Sequence, residues 1–344
     1  MKVVIDEKIP YLKGLLETLG YTVLAKPGAE IGSDDVADAC AMFVRTRTRC
    51  DEALLAGSAV RFIGTATIGH DHIDKEFCKS AGIVWKNAAG CNADAVLQYV
   101  QSVIYAWASS LEGLSIGVVG VGEIGSRVAA WAERAGMNVL KNDPPKAAAG
   151  EKGLAPLERI AEECDIITFH TTLERDGEFP TRHLADEKFM NSLKRCKLLI
   201  NASRGEVVDN KALLSALKNG RVGAAALDVW ENEPFIDKEL LERAFVATPH
   251  IAGYSAEGKM NATRMVLEYF FDFMGHDKER LSALRLLPPE NDVVTAASER
   301  EAVLAIYSPL ADTKNLKEQC EEFESLRNNY NLRRETKSYR IMLK

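Results

Sequence analysis

The chain has 344 residues, 47% of them hydrophobic and 27% charged, and carries a formal net charge of −7. That length exceeds what a single core usually serves and points to two or three domains. The acidic balance argues against nucleic acid or an anionic membrane surface as partner, because both need a basic field.

Seven cysteines, an odd number with no Cys-x-x-Cys pair, read as reduced thiols of a cytoplasmic protein. Nothing in their spacing suggests a metal site. The N-terminus reaches Asp6 with no apolar segment, so no signal peptide is expected. No apolar run approaches the roughly 18 residues of a spanning helix.

Residues 2–6 form a short β-branched run, followed by a helical pattern over 11–19. Further β-rich runs at 41–44, 61–64 and 82–85 alternate with helix-like stretches, which suggests parallel βα units. Asn92 is placed to cap a helix over 93–108, where Val96, Val100, Val103, Ile104 and Trp107 repeat at spacings of three and four. A second βα series follows, with strands at 115–120, 137–141, 164–169, 197–201, 223–229 and 245–248. Residues 258–274 return to a helical pattern, with Met265, Tyr269, Phe270 and Phe273 on one side. Past Pro288 the composition changes. Leu316, Cys320, Phe323, Leu326 and Tyr330 fit one amphipathic helix in a tail with few other apolar groups, and packing on a partner subunit is the expected way to bury it. The fold class expected is α/β, with two open doubly wound parallel-sheet (Rossmann/flavodoxin-like) domains and a small C-terminal region.

Gly120-Val121-Gly122-Glu123-Ile124-Gly125 lies between an apolar strand and a helix. Gly120 permits the tight turn, Gly122 lets the backbone approach a pyrophosphate, and Gly125 lets the helix pack on the strand. The free N–H groups at the helix start suit phosphate. The next strand ends at Asp143, where a carboxylate binds ribose hydroxyls and repels a 2′-phosphate. Prolines, not arginine, follow it, so NAD is favoured over NADP, although Lys146 stands close by.

Three later segments fall at strand ends, where open α/β sheets place their ligands. They are Ala202-Ser203-Arg204-Gly205, Asp228 to Pro234, and Pro249-His250 to Gly253-Tyr254. Oxidising an alcohol needs a base for the hydroxyl proton, and histidine titrates near working pH. His250 as base, Glu233 on its far nitrogen and Arg204 on a substrate carboxylate make a hydride-transfer site. Each taken alone reads equally as a surface or structural residue; their order downstream of the glycine motif carries the case. Arg45, Arg47 and Arg49 alternate at the end of a strand, and all three facing one way would suit a phosphate on the substrate. A solvated basic edge is an equal reading for Arg47 and Arg49.

Together these segments resemble the D-isomer-specific 2-hydroxyacid dehydrogenases, over at least residues 1–275. The resemblance implies that Arg204, Glu233 and His250 are the catalytic set. It also implies that Asp143, Thr171, Ala202, Ser203, Arg204, Asp228 and Gly253 contact NAD beside the glycine motif. Val44-Arg45-Thr46, the 62–67 segment, His250 to Tyr254 and the tail motif Phe323 to Arg327 with Tyr330 are most similar to a branch acting on a small phosphorylated hydroxy acid. That likeness implies substrate contacts at Thr46, Thr67 and Tyr254, to which the arginine cluster adds Arg45 as a candidate for the phosphate. It further implies a substrate-binding domain at 1–91 plus 254–280, an NAD-binding domain at 92–253 and a homodimerisation region at 281–344. A sister dehydrogenase of another acid, such as 3-phosphoglycerate, or an NADH-sensing regulator stays open at this point.

Overall fold

The structure is a computed structural model that describes residues 1–344, the side chain of Ala283 apart. It divides into two compact units, Met1–Asn92 with Ser255–Pro288, and Ala93–Tyr254 with Pro289–Lys344.

The first unit holds a parallel sheet of β1 (Lys2–Asp6), β2 (Thr22–Lys26), β3 (Ala39–Val44), β4 (Phe62–Thr65) and β5 (Val84–Asn87), in the order β2-β1-β3-β4-β5. Its central strands are apolar on both faces, as a doubly covered parallel sheet requires. Val3, Ile5, Phe43 and Phe62 join one core with Val266, Leu267, Phe270 and Phe271 of the helix Ala256–Met274. Val4, Met42, Val44 and Ile63 fill the core on the opposite face. The helix is capped by Ser255 Oγ, which accepts from Gly258 N at 2.8 Å, and it ends at Gly275 in a left-handed conformation. Strand β2 was not among the expected elements. As an edge strand it buries none of its residues fully, so its sequence lacks the apolar run that marks β1, β3 and β4.

The second unit is built on β6 (Ser115–Val119), β7 (Asn138–Asn142), β8 (Ile166–Phe169), β9 (Leu198–Asn201), β10 (Ala225–Leu227) and β11 (Val246–Ala247). All pair in parallel, in the order β11-β10-β9-β8-β6-β7. The winding direction reverses between β6 and β8, and the loops leaving those strands open the crevice where such sheets bind ligands. The helix Ala93–Trp107 packs Val96, Val100, Val103 and Ile104 into this unit's core.

The tail differs from expectation. The single helix through Leu316 and Tyr330 is broken into Pro309–Glu318, a 3-10 turn at Cys320–Glu322, and Phe323–Asn328. Leu316 and Phe323 are fully buried in the same cluster as Leu240, Leu241 and Ala247, so the tail covers the second unit's own core. No separate unit begins at 281: the chain to Pro288 lies with the first unit and the remainder with the second. Strands β12 (Val293–Ala296) and β13 (Arg340–Leu343) pair in parallel as a two-stranded ribbon. Among the described residues no helix is long and apolar enough to cross a membrane.

Candidate active site

Gly120 closes β6 at φ 85°, and a Cβ there would stand 2.8 Å from the backbone of His170 and Thr171. The loops leaving β6 and β8 therefore approach as closely as glycine allows. At Gly125, in the helix Glu123–Arg134, a Cβ would meet Gly120 O at 1.9 Å. Gly122 has open space where its Cβ would be. Ile124 packs on the core beside the helix, and Glu123 faces Arg127 at 3.3 Å.

Asp143 follows β7 and accepts from Val121 N at 2.9 Å and from Lys146 N at 3.2 Å, which fixes its carboxylate beside the glycine turn. The Lys146 ammonium donates to Val121 O at 2.8 Å and lies 3.7 Å from Glu151. That cation is occupied within the protein, which supports the reading of an NAD rather than NADP site. A cavity of about 420 Å³ opens here, lined by Gly120, Gly122, Asp143, His170 and Thr171 among others. Thr171 Oγ1 and His170 Nδ1 are buried without a hydrogen-bond partner. Burial pushes His170 down to about 3, so the ring is neutral. An orphaned hydroxyl, an open glycine face and a carboxylate at the strand end fit a dinucleotide.

At the end of β9, Asn201 Oδ1 accepts from Ser203 N at 3.1 Å and Ser203 Oγ at 2.8 Å, while Asn201 Nδ2 donates to Arg204 O. Ala202 is buried within that turn. A Cβ on Gly205 would fall 1.9 Å from Trp230 O, so the Arg204 turn lies directly against the Trp230 loop. Arg204 itself donates through Nη1 to Ser203 O at 2.8 Å.

His250 leaves β11 with φ 58°, and its Nδ1 lies 2.8 Å from Glu233 Oε2. Glu233 Oε1 accepts from Trp230 N at 2.9 Å. Burial raises the Glu233 carboxyl, but the His250 ring, the Trp230 N–H and the Arg327 guanidinium outweigh it and hold the group below the usual range. Asp228, expected to face the cofactor, is buried. Its oxygens accept from Thr248 Oγ1 (2.7 Å), Ile251 N (2.7 Å) and Ala252 N (2.9 Å), and burial raises its carboxyl. Its visible work is to shape the turn that carries His250. Gly253 and Tyr254 follow on that turn, with Tyr254 N donating to Ile251 O.

The other expected substrate residues belong to the first unit. Arg45 Nε lies 2.9 Å from Asp6 Oδ2, and Asp6 is fully buried. Arg49 is instead 83% exposed beside Asp51. Arg45 and Arg49 thus meet different partners, Asp6 and Asp51, and β3 ends at Val44, so strand alternation does not continue into the loop. Thr46 is exposed next to Arg45. Thr67 Oγ1 donates to Gly69 O and sits 2.7 Å from Thr65 Oγ1, which in turn lies 3.0 Å from His72 Nε2. Burial lowers His72 to about 4.

Two tail arginines reach the second unit's site without having been singled out for it. Arg327 Nη1 stands 3.9 Å from Glu233 Oε2. Arg333 is buried and donates to Gln98 Oε1 and to the carbonyls of Ala95, Ile251, Ala252 and Tyr254, with its guanidinium 4.3 Å over the Tyr307 ring. Arginines in a charge-rich tail give no sequence signal until the groups they meet are known.

Residues 98–252 match the NAD binding domain of the D-isomer specific 2-hydroxyacid dehydrogenases. The whole chain is 48% identical to an erythronate-4-phosphate dehydrogenase of Bacteroides fragilis, over 100% of this chain and 99% of the relative. It is 42% identical to the erythronate-4-phosphate dehydrogenase of an Escherichia coli O157:H7 strain, over 99% and 94%. A D-lactate dehydrogenase from Aquifex aeolicus solved with NAD and lactic acid shares the fold at a TM-score of 0.63 and 23% identity, over 82% of this chain and 98% of that one. An NAD-bound 3-phosphoglycerate dehydrogenase of Entamoeba histolytica does so at 0.66 and 24%, over 80% and 95%.

Proposed function

This chain belongs to the erythronate-4-phosphate dehydrogenase branch of the D-isomer-specific 2-hydroxyacid dehydrogenases, and on that premise we propose that it oxidises 4-phospho-D-erythronate at C2 with NAD. The product is (R)-3-hydroxy-2-oxo-4-phosphooxybutanoate, a step toward vitamin B6. The observation that carries the chemistry is the His250–Glu233 pair at 2.8 Å, held at strand ends of the nucleotide-binding unit.

Bound NAD supplies the acceptor for the hydride that leaves C2. His250 takes the hydroxyl proton through Nε2, since Nδ1 is turned to Glu233. Glu233 fixes that tautomer and stabilises the imidazolium that forms, and Trp230 N–H keeps the carboxylate from rotating away. Arg204 holds the substrate carboxylate and polarises the developing carbonyl. Gly120 to Gly125, Asp143, Thr171 and Ala202 to Arg204 bind the cofactor, and Arg45, Thr46, Thr67 and Tyr254 bind substrate.

A homodimer is part of this reading. Its support is apolar surface on the terminal ribbon, where Val293, Met342 and Leu343 are 40%, 58% and 60% exposed. Seven free cysteines suit the reducing cytoplasm.

The test mixes the purified protein with NAD and 4-phospho-D-erythronate, with D-3-phosphoglycerate in parallel, and follows NADH absorbance. A second set adds 2-oxo acids as acceptors, with direct detection of the oxidised product, because retained NADH would hide turnover. Preference for phosphoerythronate is expected. Preference for phosphoglycerate would keep the mechanism and replace the substrate, and silence on both would sink the assignment.

A further inference from the structure

The substrate proposed above has two anionic ends, whereas the Arg204–Glu233–His250 set offers one cation for them. Arg204 serves the carboxylate, which adjoins the reacting carbon. Arg45, one of the proposed substrate contacts, turns Nε and Nη2 to the buried Asp6, at 2.9 and 3.5 Å, so much of its charge is already balanced within the first unit. In the second unit, the tail helix Phe323–Asn328 brings Arg327 to the acid–base pair itself.

Three observations single out that guanidinium. Its Nη1 is 3.9 Å from Glu233 Oε2, too long for a hydrogen bond, so the carboxylate attracts the charge without saturating its donors. Its Nε is buried and makes no hydrogen bond, a costly state for a donor that a ligand oxygen would relieve. The guanidinium also hydrogen-bonds the Tyr254 side chain, on the turn that carries His250, and feels the charge of Asp228. Planar, doubly donating recognition of phosphate is what arginine does best.

We propose that Arg327, supplied by the C-terminal segment, is a specificity-determining residue that binds the phosphate at the far end of the substrate beside the Glu233–His250 pair. This inference rests on the function proposed above. Arg327 is two contacts from the base, 3.9 Å to Glu233 and 2.8 Å on to His250 Nδ1, and the Tyr254 side chain that it faces is a proposed substrate contact. The tail thus adds to the nucleotide-binding unit a cation beside its acid–base pair.

The experiment measures kcat/KM of full-length wild type, Arg327→Gln and Arg327→Lys with NAD, on 4-phospho-D-erythronate and on D-erythronate. Circular dichroism and NAD binding establish that each variant is folded. The preference of wild type for the phosphorylated acid should fall by about 100-fold in Arg327→Gln, within the range for a lost charged contact. Arg327→Lys should recover part of it, which a misfolded variant would not. An equal loss on both acids would make Arg327 a positioning residue for Glu233 and overturn the inference. An unchanged preference in both variants would overturn it too. A wild type that does not distinguish the two acids overturns the proposed function, and the inference falls with it.

Discussion

Glu233 is held from two sides, by Trp230 N–H on one oxygen and by His250 Nδ1 on the other. The opposing pull of burial is outweighed, so its folded pKa is depressed and the carboxylate is charged throughout the neutral range. By linkage, a depressed acid contributes stability above its unfolded pKa and loses it only as pH falls through the folded value. Acid losses of activity near neutrality therefore cannot come from Glu233. Glu233→Gln preserves the shape and removes the charge that stabilises the imidazolium. It should lower kcat by about 10² to 10⁴-fold with NAD affinity near wild type, read from initial rates and fluorescence titration; an unchanged kcat would end the supporting role. The glycines divide in the same way between fold and function. Gly122 has φ −80° and an empty Cβ position, so Gly122→Ala should keep the wild-type Tm while weakening NAD, because the methyl group occupies the pyrophosphate's approach. Gly125→Ala meets Gly120 O at 1.9 Å and should lower both together. Equal Tm losses in the two variants would show that Gly122 is structural.

Where the strands of the nucleotide-binding unit begin, Asp165 ties three of them together. It accepts from Ser115 N at 3.0 Å and Ser115 Oγ at 2.7 Å at the first residue of β6, and it pairs with Lys197 at 3.0 Å just ahead of β9. Burial opposes its charge, yet the Ser115 and Lys197 contacts prevail and bring it to about 2 from 3.8. Its side chain is 1% exposed, but Lys197 is 57% exposed, so solvent screens part of that attraction. The shift corresponds to at most about 2 kcal/mol of stability, present above the unfolded pKa and lost as pH falls from about 4 through about 2. Asp165→Asn should show that deficit in urea midpoints at pH 7, shrinking below about pH 4; a deficit that does not change with pH would point to packing instead. At this scale the sequence is most readable. β6 and β8 to β10 announce themselves because both faces are buried, and the strand-end motifs follow at once. Edge strand β2 stays hidden because its residues are half-exposed. In the site, Gly120, Gly125, Glu233 and His250 are legible from spacing. Asp228 is visible only as a strand-end acid, and its bonds to two backbone N–H groups and the Thr248 hydroxyl emerge with the fold. The arginines beyond Val44 lie past the end of β3, where alternation no longer predicts which way a side chain faces.

The tail belongs to the nucleotide-binding unit, and its residues divide by burial into two kinds. Leu316 and Phe323 are fully enclosed in the nucleotide-binding unit's core. Arg333 fixes the carbonyls of Ile251, Ala252 and Tyr254 just after His250, so the same segment stabilises the unit and holds its base. Met342 and Leu343 instead face outward on the terminal ribbon. If the tail served dimerisation alone, removing residues 289–344 would give a monomer with the stability and NAD affinity of the full chain. The burial argues otherwise: each large enclosed side chain is worth about 2 to 5 kcal/mol on truncation, a large share of a marginal total. Leu316→Ala and Phe323→Ala should therefore lower the urea midpoint without changing sedimentation, and chain 1–288 should lose both cooperative unfolding and NAD binding. Met342→Glu with Leu343→Glu should do the reverse, shifting the sedimentation of the proposed dimer toward monomer while NAD binding persists, because a charge on the exposed ribbon disturbs an interface but no core. Sedimentation unaltered by the two glutamates would place the dimer contact elsewhere on the surface and leave the tail with the internal role that Leu316, Phe323 and Arg333 give it.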